Sequence, residues 1–128
     1  MIALLDTNAF LNWVEGDGKL SAKAKSCIAN PKNEILVSVV VAWELAIKSG
    51  LGAIKLALPV GRYVASHIEA NGFRLLGIEL DDVAAIEALP LNQRDPFDRL
   101  LVAQAKNRKL PVVSCDRAFS DYGIKRIW

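Results

Sequence analysis

The 128-residue chain is 52% hydrophobic and 23% charged, which predicts one folded domain, residues 1–128, and excludes a disordered chain. Its net charge of +2 excludes a protein that coats nucleic acid through overall basicity, so phosphate binding would need a local patch. The sequence shows no signal peptide and no apolar run near the roughly 18 residues of a membrane span, so we expect a cytoplasmic protein without membrane contact. It also shows no Cys/His cluster, so we expect Cys27 and Cys115 to be reduced thiols.

The first part of the chain predicts strands that alternate with helices. Residues 2–5 form a short apolar run, typical of a strand buried on both faces, and Asp6-Thr7-Asn8 then begins a helix over about residues 9–14. A second helix is predicted over about residues 21–29, and a second strand over residues 34–37.

Ser38 is the predicted cap of a helix that runs through about residue 48 and is apolar on every side. Only Glu44 interrupts the apolar residues before Lys48. A helix of this composition is expected to be buried, so Glu44 is expected to be enclosed. A buried carboxylate needs a cation beside it or must stay protonated.

The remaining elements continue the alternation. A helix is predicted from Pro59 to about residue 71, a strand over residues 73–76, and a short helix over residues 81–89. A helix with Asp95 as its cap and Pro96 at its first position runs to about residue 108. Strands over residues 111–114 and 124–128 flank a short helix over residues 117–121. This order predicts a three-layer α/β/α fold with a mainly parallel sheet of about five strands.

Four acids that are distant in sequence are expected to meet at one edge of this sheet, where ligands of such folds bind. Asp6 ends the first strand, Glu44 lies early in the helix after the second, and Asp116 follows the fourth. Asp98 opens the helix that leads into the fourth strand.

Converging carboxylates repel one another unless a cation neutralises them. Oxygen ligands without histidine or cysteine favour Mg²⁺ or Mn²⁺, which can activate water against a phosphate. The sequence therefore indicates phosphodiester hydrolysis. Thr7 and Asn8 are candidates to orient a ligand water or an acid, and Ser114 to do the same for Asp116.

Each acid also has a structural alternative. Taken singly, Asp6 and Asp116 fit helix caps better than ligands, and Asp98 pairs with Asp95 as a capping box about as well as it fits a metal site. Glu44 has the weakest structural alternative, because a solvated surface glutamate does not fit its apolar surroundings. Arg94 and Arg99 fit either phosphate contacts or partners of the acids.

Four further polar residues have no predicted role in the site. His67 belongs on a partly exposed helix. The other three are interpreted as ordinary helix-start or surface residues: Asp81, Asp82 and Asp121.

The residues that carry a family resemblance extend along nearly the whole chain. The most specific is the run R-D-P-F-D-R-L-L-V-A-Q-A at residues 94–105. It is accompanied by L-L-D-T-N at residues 4–8, V-A-W-E-L-A-I-K at 41–48, N-G-F-R-L-L at 71–76, L-P at 89–90, S-C-D-R-A-F at 114–119 and Y-G at 122–123. On these motifs the chain resembles PIN-domain proteins, specifically the VapC-type toxins of type II toxin–antitoxin pairs.

The resemblance implies a metal-dependent endoribonuclease. Asp6 and Asp98 would be metal ligands, and Glu44 and Asp116 would bind a metal or orient the attacking water. It also implies a homodimer, inhibited by a small antitoxin whose tail covers the active site. Many relatives carry histidine just before the R-D-P-F-D run, where this chain has Asn92 and Gln93; all four acids are nevertheless present.

Other functions fit less well. A phosphatase with Asp6 as nucleophile would need a second aspartate where Asn8 stands, and a phospho-acceptor receiver would need an acid pair that is missing and would leave Glu44 unexplained. A PIN-like module that binds RNA or a partner without cleaving is the main alternative.

Overall fold

The computed structural model describes residues 1–91 and 94–128, and it is built on one parallel sheet. Its five strands are ordered β3-β2-β1-β4-β5, and every neighbouring pair is parallel. The strands are β1 (Ile2–Leu5), β2 (Glu34–Ser38), β3 (Arg74–Leu76), β4 (Val112–Val113) and β5 (Arg126–Ile127).

Seven helices are found in the described residues, and all seven lie in the connections between consecutive strands. They are α1 (Thr7–Glu15), α2 (Ala22–Ala29), α3 (Val39–Gly50), α4 (Val60–Asn71), α5 (Leu80–Ile86), α6 (Pro96–Arg108) and α7 (Ala118–Asp121). Parallel strands require such crossovers, because a short turn cannot return the chain to the same end of the sheet.

The sheet separates two apolar cores, as the alternation of side chains along a strand requires. Ala3 and Leu5 of β1 face one core, which is closed by α1, α2, α3 and α4. Leu4 faces the other core, formed mainly with α6 and the segment around α7, and α5 packs against it. The predicted three-layer α/β/α class is confirmed.

The main difference from the predicted fold concerns α3. Glu44 is buried as predicted, but the helix is not enclosed on every side, because Trp43 is 44% and Ile47 45% exposed. Trp43 packs edge-on against Phe97, with the two ring centroids 4.6 Å apart. None of the helices in the described ranges is long and apolar enough to cross a membrane.

Asp82 also differs from its prediction as an ordinary helix-start or surface residue. It does belong to a capping box with Glu79 at the start of α5, but its side chain is buried. Arg108 donates to both of its carboxylate oxygens, at 2.6 and 3.0 Å, and Asn107 donates to one of them. Burial alone would raise the pKa of Asp82, but these hydrogen bonds outweigh it and the pKa is lowered. Asp82 therefore joins α5 to the end of α6.

Candidate active site

The four predicted acids lie where β1, β2 and β4 end, and these three strands are adjacent in the sheet. Asp6 directly follows β1, Glu44 is in the second turn of α3, Asp98 is in the first turn of α6, and Asp116 lies between β4 and α7. Their charges act on one another: Glu44, Asp116 and Asp6 each raise the pKa of Asp98. The structure therefore brings the four carboxylates to one edge of the sheet.

Asp6 is both a helix cap and a member of this cluster. The amide of Ala9 donates to its Oδ1 atom at 2.7 Å, which caps α1. The hydroxyl of Ser114 donates to its Oδ2 atom. Burial raises the pKa of Asp6 to about 6, in spite of these two hydrogen bonds, and repulsion from Asp116 and Glu44 adds to the rise.

Asp98 differs because no residue within 1–91 or 94–128 donates a hydrogen bond to its carboxylate. The capping box with Asp95 is not formed. Instead, Asp95 alone caps α6 by accepting from the amides of Phe97 and Asp98, at 2.8 and 3.2 Å. Burial, followed by repulsion from Asp95 and the other three acids, raises the pKa of Asp98 to about 7. This is a half-buried carboxylate whose charge its surroundings disfavour.

Glu44 is buried and has a donor for each of its carboxylate oxygens. Thr7 donates its hydroxyl to Oε1 at 2.6 Å, and the ammonium of Lys48 lies 2.5 Å from Oε2. Thr7 thus orients an acid, one of the two roles considered for it, whereas Asn8 is exposed. The sequence analysis gave Lys48 no role, although the Glu44–Lys48 spacing of four residues places the two side chains on one face of a helix.

Ser114 is fully buried and connects two of the acids. Its hydroxyl accepts from the amide of Asp116 at 2.9 Å and donates to Asp6, so the carboxylate that it orients belongs to Asp6 and not, as predicted, to Asp116. The carboxylate of Asp116 accepts instead from the amide of Ala118, at 2.9 Å, beside the start of α7.

The two arginines next to Asp98 have different surroundings. Arg99 donates to the backbone carbonyls of Ile86 and Pro90, at 3.2 and 3.0 Å, and to the hydroxyl of Tyr122. These contacts join the end of α5 to α6. Arg94 is exposed. An RNA contact by either arginine stays a prediction, and the histidine position of the relatives, at Asn92 and Gln93, lies outside the described residues.

The donor set fits a hard divalent cation. It consists of carboxylate and hydroxyl oxygens, which Mg²⁺ and Mn²⁺ prefer. Asp98 has no hydrogen-bond donor in the described part of the chain, and the cluster repels its charge, so a cation would relieve it. Among residues 1–91 and 94–128, no three Asp, Glu, His or Cys side chains are already arranged around one metal position. In the described residues the other three acids are held by hydrogen bonds from the chain itself: Asp6 by a hydroxyl and an amide, Glu44 by a hydroxyl and an ammonium, and Asp116 by an amide.

Fold and site together define an α/β protein with an acidic cluster at the carboxyl edge of a parallel sheet. The sequence matches the family model described as a PIN domain over residues 3–125, and the chain belongs to the PIN-domain family. The resemblance found in the sequence is confirmed at the level of this family. No curated protein matches the sequence significantly.

Solved toxin–antitoxin structures share the fold. A chain of the VapBC2 complex from Rickettsia felis, bound to a promoter DNA fragment, is similar with a TM-score of 0.71 and 14% identity over 100% of both chains. A chain of VapBC-5 from Mycobacterium tuberculosis is similar with a TM-score of 0.59 and 19% identity, over 98% of this chain and 97% of that chain. A chain of a toxin–antitoxin complex from Klebsiella pneumoniae is similar with a TM-score of 0.56 and 19% identity, over 90% of this chain and 87% of that chain.

Proposed function

We propose that this PIN-domain protein is a Mg²⁺- or Mn²⁺-dependent endoribonuclease. The observation that carries the proposal is Asp98, a half-buried carboxylate without a described hydrogen-bond donor, whose charge Asp6, Glu44 and Asp116 disfavour. The ionised form of such a carboxylate is costly unless a cation binds beside it; otherwise the group tends to hold a proton. Asp6 and Asp98 are the proposed metal ligands, and Glu44 and Asp116 complete the site as ligands or as groups that orient the attacking water.

When bound, the divalent ion would supply an activated water and would stabilise negative charge on the phosphate. The chain itself contributes orientation. Ser114 and the Ala9 amide fix both oxygens of Asp6, and Thr7 fixes Glu44. Because the proposed nucleophile is water attacking phosphorus, the products are expected to carry 5′-phosphate and 3′-hydroxyl ends.

We further propose that the protein is the toxin of a toxin–antitoxin pair, acts as a homodimer in the cytoplasm and is inhibited by a small antitoxin. Support comes from the solved neighbours, which are toxin–antitoxin complexes. After burial, repulsion from neighbouring carboxylates contributes to the raised pKa values of Asp6 and Asp98, and a basic antitoxin side chain would relieve this repulsion. A gene for a small DNA-binding protein directly upstream would agree with this role.

RNA cleavage with and without divalent metal tests the proposal. The wild-type protein is compared with Asp98→Asn and with a matched control, Asp81→Asn, which changes another first-turn aspartate that is exposed. We expect cleavage by the wild type and the control in Mg²⁺ or Mn²⁺, and loss of cleavage in Asp98→Asn or in excess chelator.

Cleavage that persists in chelator or in Asp98→Asn would refute the metal mechanism. Metal-dependent binding of RNA without any cleavage would instead identify the alternative function, a PIN-like module that binds RNA but does not cut it.

A further inference from the structure

Lys48 provides the acidic edge with a positive charge of its own. Its ammonium lies 2.5 Å from the Oε2 atom of Glu44, and the Oε1 atom accepts the hydroxyl of Thr7 at 2.6 Å. Both oxygens of Glu44 are therefore engaged by donors from the chain. Asp6 also has a donor on each carboxylate oxygen, but both of those donors are neutral, whereas one donor of Glu44 is a cation that already balances its charge. A metal ion at Glu44 would have to compete with this ammonium.

The ammonium is held by Glu44 but is not enclosed. The side chain of Lys48 is 44% exposed, whereas that of Glu44 is 7% exposed. A lysine ammonium has three N–H donors, and the contact with Glu44 uses one. The charges of Asp95 and Asp98 also act on Lys48, which places the ammonium on the side of the cluster where α6 begins.

We propose that Lys48 takes the place of a second metal ion in this site, and that Glu44 is a positioning residue for Lys48 and not a metal ligand. The chain would then bind one divalent ion, through Asp6 and Asp98. The ammonium would donate to a non-bridging oxygen of the scissile phosphate, and this last part depends on the proposed ribonuclease function. Two-metal sites place a cation on each side of the reacting phosphate, and a fixed ammonium can supply one of these charges.

Counting bound Mn²⁺ by electron paramagnetic resonance, on protein without RNA, tests the proposal separately from catalysis. We expect one ion per chain in the wild type. Lys48→Met frees Glu44 from its counter-charge, so this variant should gain a second, weaker Mn²⁺ site. The double variant Lys48→Met/Glu44→Gln should return to one ion. Lys23→Met, which removes an exposed lysine on α2, should behave as the wild type does.

Cleavage rates then test the contact with phosphate. Lys48→Met should lower kcat about 100-fold at low Mn²⁺, the loss typical of removing one fixed donor to a developing charge. High Mn²⁺ should restore part of this rate in Lys48→Met but not in the double variant, because only Glu44 can hold the replacing ion. Lys48→Gln provides the same comparison if Lys48→Met does not fold.

Two Mn²⁺ ions on the wild type, or no gained site in either folded Lys48 variant, would overturn the proposal. The ion counts also separate it from the proposed function. A protein that follows these counts but cuts no RNA would refute the ribonuclease and keep the assignment of Lys48 and Glu44. A wild-type protein that cuts RNA but binds two ions would refute the assignment of Lys48 and Glu44 and keep the proposed ribonuclease function.

Discussion

Replacing Asp98 with asparagine should make the metal-free protein more stable while it removes the proposed activity. The wild-type carboxylate is half-buried, accepts no hydrogen bond within the described residues and is repelled by Asp95, Glu44, Asp116 and Asp6. Asparagine has nearly the same shape and no charge. The substitution therefore removes an unfavourable charge without opening a cavity.

The displaced pKa gives the size of the effect. The pKa of Asp98 is raised from its ordinary value of 3.8 to about 7, which for an enclosed group would correspond to about 4 kcal/mol. Asp98 is only partly enclosed, so solvent screening reduces this figure. The dipole of α6 also favours a negative charge in its first turn by up to about 1 kcal/mol. We therefore expect a gain of about 1–2 kcal/mol, or about 4–8 °C in Tm.

The gain should depend on pH in a defined direction. Between the ordinary pKa and the raised one, the native state holds a proton that the unfolded chain has lost, so wild-type stability falls as pH rises through this range. Thermal unfolding of both proteins in chelator should show nearly equal Tm values at about pH 4, a growing difference up to about pH 7, and a constant difference above it. Millimolar Mg²⁺ should raise the Tm of the wild type and have little effect on Asp98→Asn, because a ligand stabilises only the state that binds it.

Asp81→Asn is the control for the change of charge itself. Asp81 is exposed in the first turn of α5, and its loss should lower stability by a few tenths of a kcal/mol at most, through the helix dipole. The reasoning fails if Asp98→Asn is less stable than the wild type in chelator above neutral pH. It also fails if the difference between the two proteins does not change with pH.

Three further substitutions test the packing around the site and the core. Ser114→Ala should raise the pKa of Asp6 by about 1, because the substitution removes a hydrogen bond to the charged form of the carboxyl group. NMR titration of the carboxyl group measures this change, and an unchanged pKa would contradict the assigned contact. Asp82→Ala should cost about 2–3 kcal/mol in urea unfolding, because it removes the charged hydrogen bonds from Arg108, whose own side chain remains partly exposed to water. A cost below about 1 kcal/mol would mean that the pair behaves as a surface ion pair. Leu101→Ala, in the fully buried part of α6, should cost about 2–5 kcal/mol in the same assay, and a near-neutral result would exclude this packing.

The strands and helices were largely predictable because their signals are local. The continuous apolar run of β1 and the caps Ser38 and Asp95 mark elements that the structure places within a residue or two of the prediction. The last two strands were predicted too long. Apolar residues indicate burial, but the length of a strand depends on its pairing, and β4 pairs with β5 only through Val112–Val113 and Arg126–Ile127.

The contacts within the site were less predictable, because they depend on how distant segments pack. The sequence indicated that Glu44 needs a cation or must stay protonated, but it did not single out Lys48 as that cation. Nothing local links Ser114 to Asp6, which lies 108 residues away. The apolar composition of α3 likewise could not show that Trp43 and Ile47 face outward, because only the packing of α3 against α1, α4 and α6 decides which side is covered.

The two interpretations of the acids, as helix caps and as site residues, turn out to be compatible for a physical reason. The carboxyl ends of parallel strands are also the points where helices begin, and the first amides of a helix need acceptors. Asp6 and Asp116 accept such amides and also face the cluster. Asp98 is the exception, because Asp95 already accepts the amides at the start of α6. Asp98 thus adds a negative charge to the cluster that no helix amide compensates, and a bound cation would stabilise this charge directly.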